Sequence, residues 1–129
     1  MCSQGRGSAA SAAVAVTVLT LLYLLACTEQ AEAASYTVGD SSGWTFNVAT
    51  WPKGKGFKAG DVLVFNYSPG AHNVVAVNRG GYQSCNAPPR PKVFQSGKDQ
   101  VKLVKGQNYF ICSIPGHCQG GMKIAVTAA

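Results

Sequence analysis

The chain has 129 residues, 47% of them apolar and only 12% charged, with a formal net charge of +6 and five cysteines. That length holds one ordinary domain, and the apolar content excludes an intrinsically disordered chain, which would be charge-rich and apolar-poor. No low-complexity tract or repeat of solenoid length is visible, so a repeat architecture is excluded as well.

The N-terminus reads as a leader. From Ala9 to Cys27 there is no charged side chain, Arg6 precedes the run, and Leu19, Leu21, Leu22, Leu24 and Leu25 form its apolar centre. Ala31-Glu32-Ala33 supplies the small-x-small pattern that a signal peptidase accepts. Residues 1–33 are therefore expected to be a secretory signal peptide cut after Ala33, and residues 34–129 the mature domain. A retained membrane anchor fits less well, because no basic stop-transfer flank follows. Loss of Arg6, Glu29 and Glu32 leaves ten basic side chains against three acidic ones (Asp40, Asp61, Asp99), a net charge of +7.

The mature chain then shows short apolar runs separated by Gly, Pro, Ser and Asn, the pattern of an all-β sandwich. Strands are expected at Tyr36–Val38, Val62–Tyr67, Asn73–Asn78, Gln100–Val104, Asn108–Cys112 and Met122–Thr127. Gly60-Asp61 and Lys105-Gly106-Gln107 read as turns entering strands. Helical signals are weak: one turn near Val48–Trp51, stopped by Pro52, and one near Tyr82–Cys85. Trp44, Phe46, Trp51 and Phe57 are expected to close one end of the core. The C-terminal run from Ile124 to Ala129 has no polar spacer before an apolar tail, so no lipid-anchor signal of that design is expected.

Cys85, Cys112 and Cys118 follow the leader, an odd number for a compartment in which thiols oxidise. One thiol must lack an internal partner. It could pair with a second chain, stay buried and inert, or serve as a metal ligand. The run Cys112-Ser-Ile-Pro-Gly-His117-Cys118-Gln-Gly-Gly-Met122 spaces thiol, imidazole and thioether five residues apart. His72, the other histidine of the chain, can add a second imidazole. Two His, one Cys and a weak Met form the donor set of a blue copper site, whereas a closed zinc site needs four strong donors and takes Met poorly. A Pro115-Gly116 turn would return His117 towards Cys112, and Gly120-Gly121 would deliver Met122 to the next strand.

These residues resemble a known family. Tyr36-Thr-Val-Gly39, Gly43-Trp44, the Asp61–Tyr67 run, His72-Asn73, Cys85 and Cys112-x4-His117-Cys118-x3-Met122 resemble the phytocyanins, plant blue copper proteins of the cupredoxin fold. The basic charge and the lack of a Pro- or Ser-rich tail are similar to their plantacyanin subgroup. The resemblance implies a cupredoxin-like Greek-key β-sandwich with one or two short helical turns. It makes His72, Cys112 and His117 strong ligands of one copper ion, with Met122 a weak axial fourth, and joins Cys85 to Cys118 in a disulfide.

The function this implies is outer-sphere one-electron transfer by a secreted protein of the apoplast or cell wall, with no enzyme activity. An extracellular interaction or signalling module with structural copper is the alternative. A transient redox partner would dock near the exposed edge of His117 or His72, among Pro69, Gly70, Ala71, Ile114, Pro115 and Gly116. Lysines at 53, 55, 58, 98, 102 and 105, with Arg90 and Lys92, suit acidic cell-wall polysaccharide. Nucleic acid and a membrane anchor are not expected, and the protein is expected to be a monomer. Asn66-Tyr67-Ser68 is a formal glycosylation sequon, but it lies in an expected strand and Pro69 follows it.

Overall fold

A computed structural model of the chain describes residues 16–21 and 32–129. Residues 16–21 are helical and exposed; the rest of the expected leader up to residue 31 lies outside the described residues. Among the described residues no helix is long and apolar enough to cross a membrane.

Period-two alternation sets the architecture of Ala33–Ala129. Seven strands form: β1 (Ser35–Thr37), β2 (Val62–Asn66), β3 (Val74–Val77), β4 (Val93–Phe94), β5 (Lys98–Lys102), β6 (Gly106–Ile111) and β7 (Lys123–Ala128). One sheet has the order β1-β2-β5, the other β4-β3-β6-β7. Only β1 and β2 pair in parallel; the remaining pairs are antiparallel. Leu63 and Phe65 of β2 point inward, as do Ile124, Val126 and Ala128 of β7, and they meet Val38, Val74 and Phe110 in one core. Phe65 links Trp44 to Phe110 by edge-on ring contacts at 4.9 and 5.4 Å.

A smaller cluster covers the other face of the second sheet. Val75, Ile111 and Cys118 pack there under Tyr82, Cys85 and Val93. The short helix Arg79–Ser84 supplies this cover: Asn78 caps it by accepting from the Gly81 amide at 2.8 Å, and Cys85 ends it in the left-handed region at φ 59°. A disulfide from Cys85 to Cys118 fastens this helix end to the sheet.

The strand expectations hold in kind and shift in extent. The fifth strand begins at Lys98 and ends at Lys102, because Lys98 and Asp99 pair with Asn66 and Phe65. A charged Asp in a strand is masked as a signal, yet here its buried carboxylate accepts from the Ser96 amide at 3.0 Å and from the Ser96 and Tyr67 hydroxyls. Burial and that carboxylate push the Tyr67 phenol up to about 12. Leu103 leaves the ladder to bond the Gly60-Asp61 turn instead. Val93–Phe94, too short to read after a Pro-rich stretch, is an additional strand, and Asp40–Ser42 an additional 3-10 turn. The turn expected at Val48–Trp51 is present, with the Trp51 amide donating to Val48 at 2.9 Å and Pro52 following. Trp44 and Phe57 are buried and Trp51 packs on the core, as expected, but Phe46 is 42% exposed. Phe46 does not close the core; it lies against the two histidines.

Candidate metal centre

Two loops at one end of the sandwich build the site. The first runs from β2 to β3, where the Ala71 amide donates to Ser68 at 3.0 Å and the chain enters β3 just after His72. The second follows β6. Ile114-Pro115-Gly116-His117 is a tight turn in which the His117 amide donates to Ile114 at 3.0 Å. Pro115 presets its own φ, and Gly116 takes φ 84°, which a side chain would resist. Gly121 then sits at φ 87° and turns the chain into β7.

Backbone bonds tie the candidate donors of the second loop together. The Cys112 amide donates to Met122 at 3.1 Å, and the Met122 amide donates to His117 at 3.1 Å. The Gly120 amide is shared between Gly116 and His117 at 3.1 and 3.0 Å. These bonds run within the loop itself and brace its turns.

His72, Cys112 and His117 converge, with their ligand atoms all within 4.8 Å of one another. His72 Nδ1 lies 3.0 Å from His117 Nδ1, and Cys112 Sγ lies 3.5 Å from the same nitrogen. Cys112 is fully buried and unbridged, since Cys85 and Cys118 are joined to each other. Met122 is also fully buried and belongs to the main core. Burial, together with the neighbouring His117, lowers the pKa of His72, which favours the neutral imidazole that ligates metals. A soft buried thiol with two imidazoles whose Nδ1 atoms approach each other fits copper better than a closed zinc site, which needs four strong donors.

Asn73 locks the two loops in register, a role that sequence reasoning missed. Its Oδ1 accepts from the Ser113 amide at 2.8 Å and its Nδ2 donates to the Ser113 hydroxyl at 2.9 Å. Trp44 Nε1 donates to the Asn73 carbonyl at 2.8 Å, anchoring the first loop to the core. The signal that could have found Asn73 is its place between a candidate ligand and a strand, matched by a hydroxyl beside Cys112. Phe46 was missed in a different way. Its ring stands edge-on to His117 at 4.8 Å and to His72 at 5.8 Å. Gly120 makes room for it, because a Cβ there would come within 2.7 Å of the Phe46 ring.

A small two-sheet sandwich that brings one unbridged buried thiol against two imidazoles defines a cupredoxin-type blue copper protein, whose cofactor is copper. The comparisons agree. The plastocyanin-like domain family matches residues 44–122. A chemocyanin from Lilium longiflorum is 59% identical over 127 residues, covering 98% of this chain and 99% of that protein. A basic blue protein from Cucumis sativus is 65% identical over 95 residues, or 74% of this chain and 99% of the relative. The solved structure of cucumber basic protein, a blue copper protein, superposes with a TM-score of 0.73 at 64% identity, covering 74% of this chain and 100% of that one. The chain belongs to the plastocyanin-like family, in its phytocyanin branch with the plantacyanins or basic blue proteins.

Proposed function

We propose that this protein is a secreted carrier of single electrons in which His72, Cys112 and His117 hold one copper ion and Met122 is a weak fourth donor. The observation that carries the reading is the convergence of the two imidazoles on a buried thiol that the disulfide leaves out. Bound copper supplies a one-electron couple between Cu(I) and Cu(II). The chain's own residues do the rest. The Pro115-Gly116 turn, the Asn73–Ser113 bridge and the disulfide beside His117 hold the donors in place, so little has to move when charge changes. With three strong donors and a thioether already assigned, the site keeps no open position for a substrate, which favours outer-sphere transfer over catalysis.

Access is at the histidine edge. His72 and His117 are half-buried, and Pro69, Gly70, Ala71, Pro115 and Gly116 around them are exposed. These small, weakly polar residues suit a flat, transient docking surface for a redox partner, and the Phe46 ring extends it. The outward face of β5 presents Lys98, Gln100 and Lys102, and Lys53, Lys55 and Lys58 are exposed on a separate loop. Such charge supports electrostatic attraction to acidic wall polysaccharide after cleavage of the 1–33 leader.

The test is the visible absorption spectrum of the purified protein after copper addition. An intense band from thiolate-to-copper charge transfer is expected, and Cys112→Ser should lose it while far-ultraviolet circular dichroism still reports a folded β domain. A Cys112→Ser protein that stays blue overturns the assignment.

A further inference from the structure

Asp61 is an unusual acid in this domain. It is only 4% exposed, yet it sits at the start of β2, where the turn from Lys58 ends. One carboxylate oxygen accepts from the Lys58 amide at 2.9 Å. The other accepts from the amide nitrogen of Ala34 at 3.0 Å. Ala34 in turn accepts from the Val62 amide at 2.9 Å, so this residue is held at both its nitrogen and its oxygen just before β1. Ala34 is also the residue that follows the small-x-small pattern at Ala31-Glu32-Ala33.

We infer that Asp61 is a docking site for the new N-terminus, so that removal of the leader turns an ordinary amide contact into an ion pair that locks β1 onto β2. The inference rests on the proposed cleavage after Ala33. Hydrolysis by a protease of the signal-peptidase class adds one water across the Ala33–Ala34 amide. Ala33 departs with the carboxylate, and the Ala34 nitrogen takes up a proton to become an ammonium, since an α-amine has an ordinary pKa of about 8. The nitrogen already lies at hydrogen-bond distance from Oδ1, so no rearrangement is needed. An ammonium donating to a carboxylate makes a stronger contact than an amide does. A cut one residue to either side would place the charge away from Asp61. The carboxylate therefore selects the start at Ala34 as the most stable mature form. The bonds from the Ala34 and Lys58 amides keep the carboxyl ionised against its burial, and the charge of the Lys58 side chain adds a smaller attraction.

The pH window follows from the two groups. Pairing raises the pKa of the α-ammonium, so its contribution is complete below about pH 8 and is lost as pH rises through the folded value. The Asp61 contribution is complete above its ordinary value of 3.8 and is lost as pH falls through its lowered folded value. The lock operates between these limits.

The experiment uses the full chain, secreted through its own leader from a eukaryotic host. Intact mass should give a protein that begins at Ala34; any other first residue overturns the proposal together with the cleavage reading. The secreted Ala34→Gln variant then isolates the charge, because an N-terminal Gln cyclises to a neutral lactam that keeps an N–H but loses the ammonium. At pH 6 cyclisation should lower the melting temperature by roughly 5 °C, the scale expected for one charge-assisted contact in a domain of this size. At pH 10 the two forms should melt together, and in an Asp61→Asn background cyclisation should have no effect at either pH. A start at Ala34 with equal melting at pH 6, or an effect that survives Asp61→Asn, overturns the lock and leaves the cleavage reading standing.

Discussion

Removing the disulfide should weaken the domain by a large and calculable amount. Cys85 and Cys118 are separated by 33 residues, and the chain-entropy relation for a loop of that length gives about 3.5–4 kcal/mol at 25 °C. Cys118 is buried with Val75 and Ile111, so Cys85→Ala/Cys118→Ala also trims packed sulfur, whereas Cys85 already holds a positive φ that Ala would share without relief. For a domain under 100 residues a loss of this size corresponds to about 15–20 °C in melting temperature. Against an ordinary total of about 5–15 kcal/mol, the double variant should still fold, but marginally. Urea denaturation of the metal-free protein, followed by fluorescence of the buried Trp44, gives the comparison directly. The urea dependence should also steepen, because an uncrosslinked unfolded chain exposes more surface. A loss below about 1 kcal/mol with an unchanged slope would falsify the account in which the bridge acts by restricting the unfolded chain.

Asn73→Ala removes both bonds to Ser113 and should cost about 1–2 kcal/mol, since each is a partly solvated neutral contact; an unchanged urea midpoint would show that the bridge does not hold the loops. Phe46→Ala should cost no more than about 1–2 kcal/mol, because the ring is already 42% exposed, yet it should speed copper loss to a chelator by uncovering His117. A chelation rate equal to that of the parent would remove Phe46 from the site. Acid stability should depend on Asp61, whose carboxyl is held below 3.8 by the Ala34 and Lys58 amides. Its contribution is present above that value and is lost as pH falls through the lowered folded one, so Asp61→Asn should flatten the fall of melting temperature on acidification below 3.8. An unchanged acid profile in the variant would contradict this.

Much of the framework was legible because it is local. Alternation in Val62–Tyr67 and Met122–Thr127 picks out inward side chains without knowledge of the partner strand. The candidate donors at 112, 117 and 122 lie in one run whose Pro and Gly residues dictate its turns, so their chemistry and spacing can be read in a line. The odd number of cysteines already required one thiol without an internal partner.

His72 could be named as a donor but not placed, and its placing, like the features the sequence did not reveal, depends on contacts between distant segments. His72 is 45 residues from His117, and only the stacking of β3 beside β6 sets their nitrogens 3.0 Å apart. Likewise the register of β5 follows from a buried Asp99 satisfied by Ser96 and Tyr67, which a charge in a strand pattern argues against. Phe46 reads as core filler because apolar character implies burial, but the Gly120 cradle beside the histidines takes its ring instead. Donor chemistry and strand periodicity are carried by neighbours along the chain, so the sequence alone determined them. The meeting of the two loops, the placing of an aromatic at the ligand edge and the seating of Ala34 on Asp61 arise when sheets pack, and tertiary structure decided them.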